Sequence, residues 1–110
     1  MSQQLPLSGI RVVELGSNVA GPFGTAVLAS LGAEVIKVER PEGDDARGWG
    51  PPFWHGTATL FQSMNREKRS VVVDMTRPDE LAKLKQLIVE TADVVLQNMR
   101  PGTVEKYGID

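Results

Sequence analysis

A strand, a tight turn, a helix, a second turn and a second strand follow one another between Ile10 and Arg40. That order restricts the chain to the opening βαβ unit of an α/β fold. Ile10 to Leu15 is β-rich with only Arg11 and Glu14 polar, as expected of a strand covered on both faces. The helix is predicted to begin at Gly21, with Pro22 in its first turn, where a missing N–H costs nothing. Phe23, Val27 and Leu31 fall at i, i+4 and i+8 and are expected to give it one apolar face. Gly32 fits the left-handed stop position. Val35, Ile36 and Val38 then form the second strand, with Lys37 as its basic interruption.

The remainder continues the alternation. Pro41 to Gly56 reads as a long loop rich in Gly, Pro and Asp, with Trp49, Phe53 and Trp54 expected to anchor it. Thr57 to Met64 suits a short helix, and Val71-Val72-Val73 a third strand. A second helix opens at Thr76-Arg77-Pro78-Asp79, with a side-chain cap and acidic residues in its first turn. Leu81, Leu84 and Ile88 form its buried face, with Leu87 beside them. Asp93 to Leu96 is a fourth strand, and Thr103 to Tyr107 a short helical turn. Strands alternating with helices imply a parallel sheet with right-handed crossovers, a Rossmann-like arrangement. So few strands leave sheet edges unprotected, so residues 1–110 are expected to be the N-terminal portion of a larger enzyme.

Composition narrows the function. At 110 residues the chain is one domain at most, burying about two thirds of its unfolded surface. A net charge of −2 with no long basic run argues against nucleic acid or a membrane surface as partner. No cysteine is present and His55 stands alone, so thiolate nucleophiles are excluded and a metal site is not expected. His55 is assigned a loop hydrogen bond. The first residues lack a signal-peptide pattern, and no apolar run is long enough to span a bilayer, so a cytoplasmic location is expected.

Open α/β sheets bind ligands beyond the carboxyl ends of their strands. Those positions are Gly16 to Val19, Glu39-Arg40, Asp74 to Arg77 and Asn98-Met99. Glu39 suits the acid that holds a dinucleotide's ribose, but Gly16, Gly21 and Gly24 have the wrong spacing for G-x-G-x-x-G. G-K-[ST] is absent too. Arg40 beside Glu39 offers a phosphate contact instead, while Ala20-Gly21-Pro22 serves equally well as a plain helix start. Lys68 and Arg69 read as structural, pairing with acids such as Glu67 or Asp74.

With these residues in view, the chain resembles the class III CoA-transferase family over nearly all of residues 6–110. The likeness rests on Leu7 to Leu15, on Ala20-Gly21-Pro22, and on Leu31 to Pro41. Gly43-Asp44 with Arg47 follows, then the N-x-x-K-R-S block at Asn65 to Ser70, then Asp93-Val94-Val95 with Asn98 and Pro101-Gly102. The resemblance implies that this portion binds the nucleotide part of coenzyme A or an acyl-CoA substrate, with no metal. Carried over by position, Arg40 contacts the ADP phosphates, Val73, Asn98 and Met99 line the adenine side, and Lys106 stands beside Tyr107 near the nucleotide. Asn18 and Val19 belong to the first turn, Val19 standing where formyl-CoA transferases carry glutamine. Arg77 is the substitute for a family lysine whose own place is taken by Thr76. Arg40 pairing with a carboxylate, Lys106 in solvent and Asn98 capping its own turn are the alternative roles.

The resemblance also implies the chemistry. An aspartate attacks the acyl-CoA thioester to give a mixed anhydride, and the released CoA thiolate returns to form an enzyme-bound thioester, so CoA passes to a carboxylic acid acceptor. None of Asp44, Asp45, Asp74, Asp79 and Asp93 matches that aspartate, which is expected beyond residue 110, leaving this chain alone inactive. The family's racemases use a His/Asp acid–base pair instead, and a non-catalytic nucleotide-binding module is a further alternative. Family members are interlocked homodimers, which the parent enzyme is expected to share.

Overall fold

The computed structural model describes residues 4–109. A four-stranded parallel sheet is built from β1 (Arg11–Glu14), β2 (Glu34–Glu39), β5 (Arg69–Val72) and β6 (Val94–Leu96) in the spatial order β5-β2-β1-β6. Counted among these four, that is 3-2-1-4, the order of the first strands of a Rossmann sheet, with its switch point between β1 and β6. The helices are α1 (Ala20–Ser30), α2 (Thr59–Met64), α3 (Pro78–Thr91) and α4 (Thr103–Tyr107). A two-residue ribbon, β3 (Phe53–Trp54) with β4 (Thr57–Ala58), stands apart from the sheet.

Period-two alternation along β1 sends its side chains to two different layers. Val12 joins Val35, Ala29 and Ala33 on the α1 side, and Val13 and Leu15 join Val38 and Leu84 on the α3 side. Register pairs Val12 with Val35 and Glu14 with Lys37. The α1 side of the sheet therefore turns from apolar to charged as it nears the carboxyl ends of the strands.

Helix α1 departs from the expected orientation. Phe23, Val27 and Leu31 are 56%, 45% and 41% exposed, while Gly21, Pro22, Thr25 and Ala29 face the sheet. The small side is used because the helix approaches the β1 turn closely. A methyl group on Gly21 would lie 3.1 Å from the Gly16 Cα and 3.3 Å from both Leu96 Cδ2 and Asn98 Cγ. Gly21→Ala is accordingly expected to lose about 1–2 kcal/mol, overpacking outweighing alanine's better helix propensity. Gly48→Ala meets nothing within 4 Å and is the control, expected within about 0.5 kcal/mol. Urea unfolding midpoints measure both.

Gly32 is left-handed at φ 106, as its stop role requires. The third strand starts at Arg69 and ends at Val72, leaving Val73 beyond it. Helix α3 has Asp79 and Glu80 in its first turn but no side-chain cap; Asp74 instead accepts from the Thr76 N–H, and the Asp74 N–H donates to Glu80. Within the long loop, Asp45–Gly48 forms a 3-10 turn. Trp49, Phe53 and Trp54 do not anchor it, all three being exposed. The buried loop residues are Asp44 and Ala46, and Arg47 stacks over the Phe61 ring at 4.1 Å. His55 packs edge-on against Trp54.

Candidate functional site

Four charged side chains lie in a row beneath the carboxyl ends of β1 and β2. Asp44 Oδ2 is 3.0 Å from Lys37 Nζ, Lys37 Nζ is 3.5 Å from Glu14 Oε1, and Glu14 Oε2 is 2.9 Å from Lys68 Nζ. All four side chains are buried, with at most 1% exposed. Two acids and two bases make the row neutral, which is what permits its burial. Thr25 donates to Glu14 at 2.7 Å, tying α1 to the row, and Lys68 also donates to Pro22 O and Asn65 Oδ1. Lys68 thus pairs with Glu14 rather than with Glu67 or Asp74, and Arg69 pairs with Glu34 at 3.7 Å.

Environment sets the protonation states. Burial pulls the Lys68 ammonium below its ordinary value, and the hydrogen bond and charge of Glu14 restore only part of it. Burial alone would raise Asp44. The N–H groups of Ala46 and Asn18 and the Lys37 ammonium outweigh that effect and hold its carboxyl below the ordinary range. The Thr76 hydroxyl and N–H do the same for half-buried Asp74.

Above the row, a cleft opens at the strand ends. Its inner hollow, about 160 Å³, is lined by Gly16, Ser17, Lys37, Arg40 and Met99 among others. The outer hollow, about 460 Å³, shares Arg40, Met75 and Met99 with it and adds Val73, Thr103 and Tyr107. Glu39 is buried and taken by a two-pronged contact from Arg47 at 3.0 and 3.1 Å, so it is not available to a ribose. Arg40 is half-exposed at the rim, bonded to the Gly43 carbonyl and the Asp45 carboxylate, with Glu42 at 4.0 Å.

Of the residues singled out from the sequence, the structure brings Arg40, Val73, Met99 and Tyr107 to the outer hollow. Lys106 is not among the lining residues; its ammonium is 5.5 Å from the Tyr107 ring centre. Arg77 turns to Asp79 and Glu80 at 3.6 and 3.4 Å. Asn18 and Val19 belong to the turn between β1 and α1, where Asn18 donates its N–H to Asp44. Asn98 does not cap its own turn. It accepts from the Ser17 N–H at 2.9 Å and donates to the Ser17 carbonyl at 2.8 Å, closing the β1/β6 switch point. Sequence reasoning missed Glu14, Lys37 and Asp44 as a unit. The available signal was a charge inside each of two neighbouring apolar strands.

Residues 7–110 match the family model for CoA-transferase family III. The succinate–glutarate CoA-transferase of Agrobacterium fabrum is 48% identical over 96% of this chain, which spans 28% of that protein. The human succinyl-CoA:glutarate CoA-transferase is 43% identical over 99% of the chain and 25% of its own length. Among solved structures, a CAIB/BAIF family protein from Brucella suis superposes with a TM-score of 0.91 at 46% identity, covering 98% of this chain and 29% of that one. No helix among the described residues is long and apolar enough to cross a membrane. The chain therefore belongs to CoA-transferase family III.

Proposed function

We propose that the polypeptide carrying this sequence moves coenzyme A from an acyl-CoA to a carboxylic acid, and that residues 1–110 hold the nucleotide end of the thioester. The observation that carries this reading is the cleft at the carboxyl ends of β1, β2 and β5, rimmed by Arg40 and walled by Val73, Met75, Met99 and Tyr107. A guanidinium grips a diphosphate through parallel hydrogen bonds, and an apolar wall with one aromatic ring suits an adenine. Arg77 and Lys106, carried over by position, are assigned as secondary phosphate contacts; neither lines the two hollows, and Arg77 is paired with Asp79 and Glu80. Asn18, Val19 and Asn98 shape its β1 side.

Occupation of Glu39 by Arg47 speaks against a nicotinamide dinucleotide, whose ribose needs a free acid there. The printed names of the relatives are those of transferases, which favours CoA transfer over racemisation. On the family likeness we assign the acyl-accepting aspartate to a position outside residues 1–110 and the assembly to an interlocked dimer. Calorimetric titration of the full-length polypeptide with CoA and with NAD tests the reading. CoA is expected to bind at least about tenfold more tightly, a difference of about 1.4 kcal/mol. Binding of NAD without CoA overturns it.

A further inference from the structure

We infer that Asp44 is the positioning residue of the cleft: its carboxylate locks the turn after β1 to the loop after β2 and so sets the separation of the two walls. The functional consequence rests on the nucleotide reading above; the geometry does not. Asn18 lies at φ 67, the left-handed region that asparagine adopts more readily than most side chains. Its N–H points at the Asp44 carboxylate, 3.0 and 3.3 Å from the two oxygens. The same carboxylate accepts the Ala46 N–H at 3.0 Å, which starts the 3-10 turn, and meets Lys37 at 3.0 Å. Lys37 in turn donates to the Gly16 carbonyl at 3.2 Å.

The Asp44–Lys37 pair therefore grips the β1–α1 turn twice, at the Gly16 carbonyl and at the Asn18 amide. The neighbouring Asp45 holds Arg40 on the opposite wall. Glu14 backs Lys37 from below and is itself held by Thr25 and Lys68, so the grip is braced by β1, α1 and the loop before β5. Directional contacts of this kind fix a geometry that apolar packing alone leaves adjustable. Asp44 and Lys37 line the inner hollow, but the inferred role is to hold the turn rather than to contact the ligand.

Asp44→Ala and Asp44→Asn in the full-length polypeptide test the inference by amide hydrogen exchange and by CoA titration. In the alanine variant the Asn18 and Ala46 amides are expected to gain at least about tenfold more in exchange rate than those of Val13 and Val35, whose gain reports the global cost of breaking a buried ion pair from one side. CoA affinity is expected to fall about 10- to 100-fold, as misplaced supporting groups typically cause. The asparagine variant should fall between, because its amide oxygen still accepts from Asn18 while the ion pair with Lys37 is gone. Unchanged protection at Asn18, or equal acceleration at Val13 and Val35, overturns the inference, as does unaltered CoA affinity in a wild type that binds. If the alanine variant does not fold, the asparagine variant decides by the same readouts. If the wild type shows no affinity for CoA, the nucleotide reading fails. Exchange at Asn18 then still decides whether Asp44 holds the turn.

Discussion

Glu14→Gln is expected to destabilise the fold by about 3–5 kcal/mol, the usual cost of breaking a buried ion pair from one side. The carboxylate serves two ammonium groups at once, Lys68 at 2.9 Å and Lys37 at 3.5 Å, with the Thr25 hydroxyl as a third partner. Replacing it with an amide leaves the buried row with two positive charges and one negative. Lys37 keeps Asp44, but Lys68 is left with the neutral oxygens of Pro22 and Asn65. Against a total stability of about 5–15 kcal/mol for a domain this size, the loss brings the chain close to unfolding. Glu34→Gln is the contrast: its pairs with Arg11 and Arg69 are solvent-exposed, and a loss below about 1 kcal/mol is expected. Thermal and urea midpoints measure both. The double variant Glu14→Gln/Lys68→Met should recover part of the loss, because it removes the orphaned ammonium as well as its partner. A single-variant loss no larger than that of Glu34→Gln would mean that the row does not hold the sheet to α1.

The same row marks where sequence stops being informative. Alternation of apolar strands with helices declares a parallel α/β sheet, and Gly32 and Pro22 punctuate α1 where expected. Glu14 and Lys37 show in the sequence only as interruptions of apolar strands. Their meaning appears once register sets them opposite each other, and a shift of one residue would separate them onto opposite faces. Asp44 and Lys68 join through loops whose paths no local pattern dictates. Helix α1 failed for another reason. Its sequence, Ala-Gly-Pro-Phe-Gly-Thr-Ala-Val-Leu-Ala-Ser, is apolar all round, so periodicity cannot say which side faces the sheet. The contact of Gly21 with Gly16 decides it, because only the small side permits that approach. Arg40 was legible as a phosphate candidate from its place after a strand. Its resting partners, the Gly43 carbonyl and Asp45, were not, since they depend on how the following loop turns back.

Those partners shape the expected result at the cleft. Arg40→Ala should weaken CoA binding about 10- to 150-fold, the equivalent of the 1.5–3 kcal/mol that a charged hydrogen bond contributes. Two effects act in the same direction. The variant loses the guanidinium fork, and it leaves Asp45 and Glu42 uncompensated at the rim that the diphosphate must approach. Both acids are exposed, so solvent and salt screen the repulsion, and the lost fork is the larger part. Because Arg40 is itself half-exposed, stability should stay within about 1 kcal/mol of wild type, and the affinity loss is then read on a fully folded protein. Arg40→Lys should lie between, keeping the charge but not the paired hydrogen bonds. Lys68→Ala supplies the discriminating comparison. Its ammonium lies in the buried row with 1% exposure, so its removal should appear in the unfolding midpoint rather than in CoA affinity. Equal affinity losses in the two alanine variants, both folded, would take the diphosphate contact away from Arg40. A loss confined to Arg40 would leave the rim of the cleft as the place where charge recognises the nucleotide, and Lys68 as a residue of the fold rather than of the site.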